Sequence, residues 1–398
     1  MRIAQINSVC GRGSTGKICV GISDLLDENG IENKVFYFYG NSNHKNAVKC
    51  ASEKYIKIQA FKSRFFGNYG FNSNKATKKL ITKLKDYSPD IVHIHNIHGH
   101  DVNLAMLFKY LNGTDVQVVW TFHDCWAFTG YCTYFSMIGC DKWKTECKNC
   151  PQRKKYSWFF DKSNKLHKIK GQLISKSKII VVTPSEWLAG LAKESYFSDK
   201  NIRVINNGIN LDIFKPTYDT TSVSCDKGKV LLGVADKWEE RKGLDAFLEL
   251  SKRLGEEYKI ILVGTNDEVD KRLPESIISV HRTQNQHQLA VLYTFADVLV
   301  NPTKEDNYPT VNMEAISCGT PVITYRTGGS PEMVDSRCGS AVDFNDIDML
   351  EKEVCRVCED KPYSLESCLE KARDFDQNKS FMKYVELYRE LTEQMTVE

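Results

Sequence analysis

Short runs of β-branched and aromatic residues alternate with stretches of helical periodicity along nearly the whole chain. Such alternation is typical of βα units, in which helices cover a parallel sheet. The predicted strands of the first half cover residues 2–9, 34–40, 90–96, 116–124, 178–185 and 202–208. The alternation resumes further on, with predicted strands over residues 229–236, 258–264, 296–303 and 321–326. The pattern therefore predicts two successive α/β sheets.

Between the two series of strands lies a polar tract, residues 214–228, which is rich in Ser, Thr, Asp and Lys and is predicted to be a linker. We expect one Rossmann-like domain over residues 1–213 and a second over 229–375. A C-terminal helix is predicted over 376–398 and can cross back to the first domain. Doubly wound sheets bind ligands beyond the carboxyl ends of their strands, so two such domains are expected to face a central cleft.

Composition narrows the classes of function. The 398 residues include 54 Lys or Arg and 51 Asp or Glu, a formal net charge of +3. This balance excludes a protein whose whole surface binds nucleic acid. The sequence contains no apolar run of membrane-spanning length and no apolar stretch typical of a signal peptide at its start, so we expect a cytoplasmic protein whose cysteines are thiols.

A glycine-rich segment, GRGSTGK, follows the first predicted strand and opens a helix. It departs from a Walker A loop, because Ile18 follows Lys17, and from a dinucleotide fingerprint, because no acid ends the second strand. Gly13 and Gly16 still allow backbone N–H groups to approach an anion or a hydroxylated ligand. The alternative is a tight turn without a ligand.

Histidines are concentrated near the carboxyl ends of two predicted strands. For His93, His95, His98 and His100 we favour packing and polar lining over metal binding, because no Cys is close in sequence. His123 ends the next strand, where a side chain points towards the ligand-binding edge of an open sheet. We therefore favour a functional role for His123 over a role in the core.

Cys132, Cys140, Cys147 and Cys150 form a cluster that ends in a C-x2-C pair. In a reducing compartment such a set predicts a structural zinc ion, and the alternative is four reduced thiols in a loop. A second C-x2-C pair, Cys355 and Cys358, lies on a predicted helix without a further pair, which favours packing.

Residues 153–178 contain nine Lys or Arg, a single acid and several aromatic residues. This composition suits an anionic membrane surface or a polyanion. A solvated basic helix face, with the aromatic residues in the core, is the alternative.

The second half contains two loops suited to a nucleotide sugar. One follows residues 229–236 and contains Lys237, Arg241 and Lys242, cations that suit a diphosphate at a helix start. The other contains Asp306 and leads into a helix after Pro309 that contains Glu314, a carboxylate able to accept two sugar hydroxyls. Acid/base catalysis by the two carboxyl groups is the rival interpretation.

Together these motifs resemble the retaining glycosyltransferases of family 4, and among them the colanic-acid type enzymes of cell-surface polysaccharide synthesis. The segments that carry the resemblance are GSTGK, WTFHDCWAFTGYC, GCDKWKTECKNCPQ, INNGINLDIFKP, ERKGLD and EDNYPTVNMEAISCGTPVITYRTGGSPEMV. The resemblance implies an α/β protein of the GT-B fold, with two Rossmann-like doubly wound domains facing a central cleft.

The resemblance also implies roles for individual residues. His123, Asp306 and Lys242 would be catalytic, although the family's first carboxylate is Glu where this chain has Asp306. Lys237 and Lys242 would grip the donor diphosphate, and Glu314 the ribose. The distal phosphate would lie on the backbone around Tyr308, Thr310 and Val311, and Gly13 and Gly16 would face donor phosphate or acceptor. No catalytic metal or other cofactor is expected.

The sequence therefore predicts a retaining glycosyltransferase that moves a sugar from a nucleoside-diphosphate sugar to a glycan acceptor, which the basic aromatic tract suggests is lipid-linked. We expect it to lie peripherally on the inner face of the plasma membrane and not to bind nucleic acid. Two alternatives stay open: a GT-B enzyme acting on soluble sugars, and a sugar-nucleotide-binding protein without catalysis.

Overall fold

A computed structural model describes residues 1–218 and 228–397, so most of the predicted linker at 214–228 lies outside the described residues. The chain divides into two compact units. The first contains Met1–Asn206 together with Phe381–Glu398, and the second contains Asn207–Ser380. The boundary falls at Asn206, before the position 213 expected from the sequence, because the segment around Ile209 hydrogen-bonds to Phe375 and Gln377 of the second unit.

The first unit is built on a parallel seven-stranded sheet with the order β3-β2-β1-β4-β5-β6-β7. Its strands are β1 Arg2–Ile6, β2 Glu32–Tyr37, β3 Ala47–Lys49, β4 Ile91–Ile94, β5 Gln117–Thr121, β6 Ile179–Thr183 and β7 Asn201–Val204. Its helices are α1 Gly13–Glu28, α2 Glu53–Phe66, α3 Asn74–Tyr87, α4 Leu104–Leu111, α5 Arg153–Tyr156, α6 Ser163–Ser175 and α7 Glu186–Lys193.

The second unit repeats this plan with six parallel strands in the order β10-β9-β8-β11-β12-β13. Its strands are β8 Lys229–Val234, β9 Tyr258–Val263, β10 Ile277–Val280, β11 Val298–Asn301, β12 Val322–Tyr325 and β13 Gly339–Val342. Its helices are α8 Leu244–Arg253, α9 Asp267–Asp270, α10 Gln286–Phe295, α11 Thr310–Ser317, α12 Ile347–Asp360 and α13 Leu365–Ala372. The last helix of the chain, α14 Gln377–Val397, contributes its residues from Phe381 onward to the first unit.

Each sheet is apolar on both faces because helices cover both. In β1, Ala4 and Ile6 join one core cluster while Ile3 joins the cluster on the other face. Leu231 and Leu232 alternate in the same way in β8. Near-continuous apolar strands of this kind are expected in parallel sheets buried on both sides.

All ten strands predicted from the sequence are present, and they end before the predicted limits. The predicted strand 2–9 ends at Ile6, for example, and the predicted strand 116–124 ends at Thr121. The residues beyond these ends form loops. In both sheets the chain order reverses between two adjacent strands, β1 and β4 in the first unit and β8 and β11 in the second. Ligands of doubly wound sheets bind beyond the carboxyl ends of strands at such points.

Candidate functional site

In the second unit, the loops that follow β8 and β11 bring the predicted cationic and acidic residues together. Lys242 Nζ lies 2.5 Å from Asp306 Oδ2, and both side chains are largely buried. Arg241 reaches the same carboxylate with its Nη1 at 3.8 Å and donates a hydrogen bond to the carbonyl of Glu305 at 3.2 Å. Arg241 also pairs with the exposed Glu239, whose Oε2 lies 3.4 Å from Arg241 Nε, so two cations and two carboxylates meet at the edge of the sheet.

Two glycines allow these loops to approach closely. Gly243 ends the short helical turn Glu240–Lys242 with a φ of 72°, and a Cβ there would lie 2.1 Å from the carbonyl oxygen of Pro302. Gly328 passes so close to Asp306 that a Cβ would lie 1.7 Å from the carbonyl oxygen of Asp306. Any side chain at either position would push apart the loops that hold Lys242 and Asp306.

Helix α11 begins directly after the acidic loop, at Thr310, as predicted. Its first turn contains no acid, and Pro309 before it offers no side chain to cap the helix. The positive end of the helix dipole is therefore not neutralised by a side chain of the first turn. Tyr308 is buried, whereas Thr310 and Val311 are partly exposed at this end.

Glu314 lies about one turn further along α11, where its position is fixed by a buried tyrosine. The hydroxyl of Tyr293 donates a hydrogen bond to Glu314 Oε2 at 2.9 Å. Tyr293 lies in α10, 21 positions earlier in the chain, and no feature of its sequence environment indicates this contact.

The two lysines that the resemblance pairs as a diphosphate grip differ in their surroundings. Lys242 lies in the cluster, whereas the side chain of Lys237 is exposed. Arg241 is part of the cluster, as its position in the cationic loop suggested, although the resemblance assigns the diphosphate grip to the two lysines alone.

In the first unit, the glycine-rich loop joins β1 to α1 at the corresponding edge. The N–H of Gly11 donates to the carbonyl of Gly16 at 3.0 Å, so the loop closes on itself. Gly13 is the exposed first residue of α1, and Gly16 is buried. The first turn of α1 contains no acid, as in α11.

His123 follows β5 at this same edge, as predicted, and is held by a chain of neutral hydrogen bonds. Its Nε2 lies 3.1 Å from Nδ1 of His95, whose Nε2 lies 3.1 Å from Gln5 Oε1. Burial lowers the pKa of His123 to about 4, so the imidazole is neutral near pH 7. His93 and His95 are fully buried side by side, which agrees with the predicted packing role.

An ion pair lies next to His123. His98 Nε2 lies 2.8 Å from Asp124 Oδ2. Burial opposes charge on both groups, but the mutual attraction and hydrogen bond raise the pKa of His98 and lower the pKa of Asp124. Asp101, which accepts a hydrogen bond from Ser8, is also buried, and burial raises its pKa to about 6. Sequence reasoning assigned no role to Asp124, although it directly follows His123.

The four cysteines of the predicted zinc site are neighbours in the first unit. Burial and the proximity of the other three thiols raise the pKa of Cys132 to about 12, and the thiols of Cys147 and Cys150 interact with each other and with Cys140 in the same way. The N–H of Gly130 donates to Cys147 Sγ at 3.2 Å. These sulfur atoms are not all within 4.8 Å of one another; among residues 1–218 and 228–397, that spacing is met by Asp267, Asp270 and His281.

The basic aromatic tract 153–178 does not form one surface. Tyr156 is buried in the core, and so is Lys170, which donates to the carbonyls of Trp126 and Thr129 at 2.6 and 2.8 Å. Trp158, Phe159 and Phe160 are exposed.

Cys358 of the second C-x2-C pair is buried on α12, in agreement with a packing role. Among the helices of the described residues, none combines the length and the apolar composition that a membrane span requires.

Two family models match the chain on either side of the boundary between the units. The model described as Glycosyltransferase Family 4 matches residues 16–213, and the model described as Glycosyl transferases group 1 matches residues 221–380. Among curated proteins, a colanic acid biosynthesis glycosyl transferase of Escherichia coli K12, WcaC, is 24% identical over 366 residues, which is 87% of this chain and 88% of the relative.

Solved structures show the same fold. Sucrose-phosphate synthase of Thermosynechococcus elongatus superimposes with a TM-score of 0.71 at 16% identity, covering 99% of both chains. HepE of Anabaena, in complex with UDP, superimposes with a TM-score of 0.70 at 14% identity, covering 98% of this chain and 100% of HepE.

The two doubly wound units, with these likenesses, define an enzyme class, the glycosyltransferases of the GT-B fold. Within that class, the chain belongs to the glycosyltransferases whose first half is a family 4 domain and whose second half is a group 1 domain.

Proposed function

We propose that this enzyme transfers a sugar, with retention of configuration, from a nucleoside-diphosphate sugar to a lipid-linked glycan acceptor during the assembly of a cell-surface polysaccharide. The observation that carries the proposal is the cluster of Arg241, Lys242 and Asp306 at the strand-order reversal of the second unit. HepE, a structural neighbour, was solved with UDP, and the relative WcaC is described as acting in colanic acid biosynthesis, which supports the donor class and the pathway class.

The donor diphosphate suits this cluster for an electrostatic reason. When the bond between the sugar and the diphosphate breaks, negative charge develops on the leaving phosphate oxygens. Arg241, Lys242 and the start of α11 can stabilise that charge, while Asp306 keeps the cations oriented before the donor arrives. These groups supply the charge stabilisation that a metal supplies elsewhere, so transfer is proposed to need no added divalent cation.

Glu314 is proposed to bind the ribose, since its carboxylate can accept hydrogen bonds from two neighbouring hydroxyls and Tyr293 holds it in place. The neutral His123 is proposed to contact the reacting sugar as a hydrogen-bonding group and not as a cation. In transfer with retention, the acceptor oxygen attacks C1 from the face that the diphosphate leaves, and the acceptor proton passes to the leaving phosphate oxygen.

The four cysteines are proposed to hold one structural zinc ion. The donor set fits the metal, because four thiolates are the ligands of closed structural zinc sites. Burial lowers the pKa of Lys170 to about 7, and the negative charge of a zinc tetrathiolate at Cys132 and Cys147 would favour its protonated form. Closing the site requires the sulfur atoms to approach one another.

A panel of UDP-, GDP-, ADP- and TDP-sugars, monitored by thermal unfolding, tests the donor class. One nucleotide sugar should raise the unfolding temperature, since a ligand at 100 times its dissociation constant stabilises the fold by about 2.7 kcal/mol. The same sugar should then be transferred to a lipid-linked acceptor, at equal rates with EDTA and with magnesium. Binding of none of the nucleotides, or a rate that depends on magnesium, would contradict the proposal.

A further inference from the structure

Helix α2 presents its apolar residues to solvent. Ile58, Phe61 and Phe65 have the spacing that places side chains on one face of a helix, a spacing that usually faces a core. In this helix they are exposed, Phe61 to 57%, and the buried residues are Ile56 and Ser63. The helix is therefore amphipathic with its apolar face outward.

A second exposed segment, almost a hundred residues later in the chain, packs beside this face. The ring of Trp158 contacts Phe61 edge to face at 5.3 Å, and Phe159 contacts Phe65 at 5.1 Å. Trp158 and Phe159 are exposed to 42% and 61%. We call the resulting surface the aromatic patch, which consists of Phe61, Phe65, Phe66, Trp158, Phe159 and Phe160.

The aromatic patch is held by hydrogen bonds beneath it. The N–H of Trp158 donates to the carbonyl of Arg64 at 2.8 Å, and Arg153 donates to the carbonyl of Trp158 at 2.8 Å. The hydroxyl of Tyr131 donates to the carbonyl of Gly67 at 3.0 Å, just beyond the end of α2. The rings are thus fixed in an exposed position. Monomeric soluble proteins rarely expose a contiguous apolar surface of this kind, and such surfaces mark interaction sites.

Positive charge surrounds the rings. Residues 53–66 and 153–165 together contain nine Lys or Arg and two acids, whereas the whole chain carries a net charge of only +3. One of the acids, Asp161, already accepts hydrogen bonds from the N–H groups of Cys150 and Ser163. The excess of cations is therefore concentrated where the apolar rings are exposed.

We propose that the aromatic patch docks this enzyme on an anionic lipid bilayer. Aromatic rings favour the boundary between headgroups and acyl chains, and flanking Lys and Arg side chains are attracted to anionic headgroups. A second copy of the chain is the less suitable occupant, because it would bring nine cations against nine. The proposal deepens the function proposed above, because a lipid-linked acceptor lies in such a bilayer.

Vesicle sedimentation tests the docking directly and needs neither donor nor acceptor. The protein should sediment with vesicles of phosphatidylcholine and phosphatidylglycerol, and binding should weaken in high salt and with vesicles of phosphatidylcholine alone. In the double variant Phe61→Ser, Phe159→Ser, binding should fall at least about tenfold, because two apolar rings no longer enter the interface. Unchanged binding of this variant would overturn the proposal.

A matched control comes from the second unit, where Phe295 and Phe344 are exposed to 39% and 44%. The variant Phe295→Ser, Phe344→Ser should bind vesicles as the wild type does. Both double variants should keep the wild-type unfolding temperature and the wild-type transfer rate on a short, water-soluble acceptor. If the wild-type enzyme transfers sugar but does not bind vesicles, the proposed reaction stands and only the proposed docking surface is wrong.

The fluorescence of Trp158 tests whether the aromatic patch itself contacts the bilayer. The other tryptophans are buried or partly buried, so a blue shift of fluorescence on vesicle binding should come from Trp158 and disappear in Trp158→Phe without loss of binding. Binding that Phe61→Ser, Phe159→Ser leaves intact but Lys57→Glu, Lys62→Glu abolishes would indicate a polyanion site. A dimer of the wild type in sedimentation velocity that this aromatic variant abolishes would instead assign the patch to self-association. Either result would overturn the proposal.

Discussion

Lys242 combines a short ion pair with a place at the end of a parallel sheet, which makes it the sharpest single test of the candidate site. Replacing it with alanine removes a cation from the proposed diphosphate without opening a core. We expect Lys242→Ala to lower kcat by about 10² to 10³, the range seen when a donor to developing charge is removed. The measurement is the initial rate of sugar transfer at saturating donor.

The matched control is Lys304→Ala. Lys304 lies in the loop that follows β11 and pairs with the exposed carboxylate of Asp245 at 2.7 Å. Its loss should leave the rate within about twofold of the wild type, since Lys304 pairs with Asp245 and not with Asp306 of the cluster. Equal rates for wild type and Lys242→Ala, at unchanged unfolding temperatures, would remove Lys242 from the site.

The identity of several site residues could be predicted from the sequence, whereas their pairing could not. Lys242, Asp306 and Glu314 follow strands or begin helices, so their placement at one edge follows from the order of the elements. The partner that orients Glu314 is Tyr293, a residue whose local pattern is that of an ordinary core position in a helix. Contacts of this kind depend on how helices pack against one another, and the hydrophobic periodicity within one segment does not indicate that packing.

Among the elements, the strands that the sequence missed lie away from the centres of the sheets. Ala47–Lys49, Ile277–Val280 and Gly339–Val342 form one edge of the first sheet and both edges of the second. They have three or four residues each, and the last begins with Gly and Ser, which are weak strand formers. The central strands were predictable because burial on both faces demands long apolar runs.

The loop that contains the four cysteines gives a prediction at the scale of an element. Protein purified without added metal should contain about one zinc per chain, and Cys147→Ser, Cys150→Ser should lose it, because two of the four ligands are removed. The zinc-depleted protein should also unfold at a lower temperature. Elemental analysis with thermal unfolding measures both effects.

The second C-x2-C pair provides the control. Cys355→Ser, Cys358→Ser removes two cysteines of identical spacing from α12, and this variant should retain its zinc. Metal-free wild-type protein with four titratable thiols in the loop at 132–150 would contradict the zinc proposal.

Across the whole molecule, the distribution of buried histidines predicts an uneven response to acid. Burial lowers the pKa of His93 to about 3 and of His100 and His123 to about 4, and it lowers the pKa of His95 well below its usual value. As pH falls below about 6.5, these histidines become protonated in the unfolded chain but stay neutral in the folded first unit. Stability of the first unit should therefore fall between about pH 6.5 and 4, by about 1.4 kcal/mol per pH unit for each such histidine.

Asp101 offsets part of this loss of stability. Because its pKa is raised by burial, below about pH 6 it binds a proton more readily in the folded state than in the unfolded chain. The histidines of the second unit, His281 and His287, are exposed, and hydrogen bonding to Asp270 raises the pKa of His281. Hydrogen exchange at about pH 7 and about pH 5 should thus show lost protection in the first unit alone. Equal losses in both units would contradict the assignment to buried histidines.

The return of α14 to the first unit also determines the order in which the protein can be made. Gly21 of α1 lacks a Cβ where Phe381 packs, and the hydroxyl of Tyr388 lies 2.6 Å from Nδ1 of His93, a partner 295 positions earlier. The ribosome must synthesise all of Asn207–Ser380 before it supplies these residues, a delay of roughly 10 to 35 s at ordinary rates of synthesis. The second unit can therefore finish folding while the first, although synthesised earlier, is still incomplete and exposes the apolar side chains of Ile18 and Ile22. We expect chaperones to bind this nascent N-terminal half.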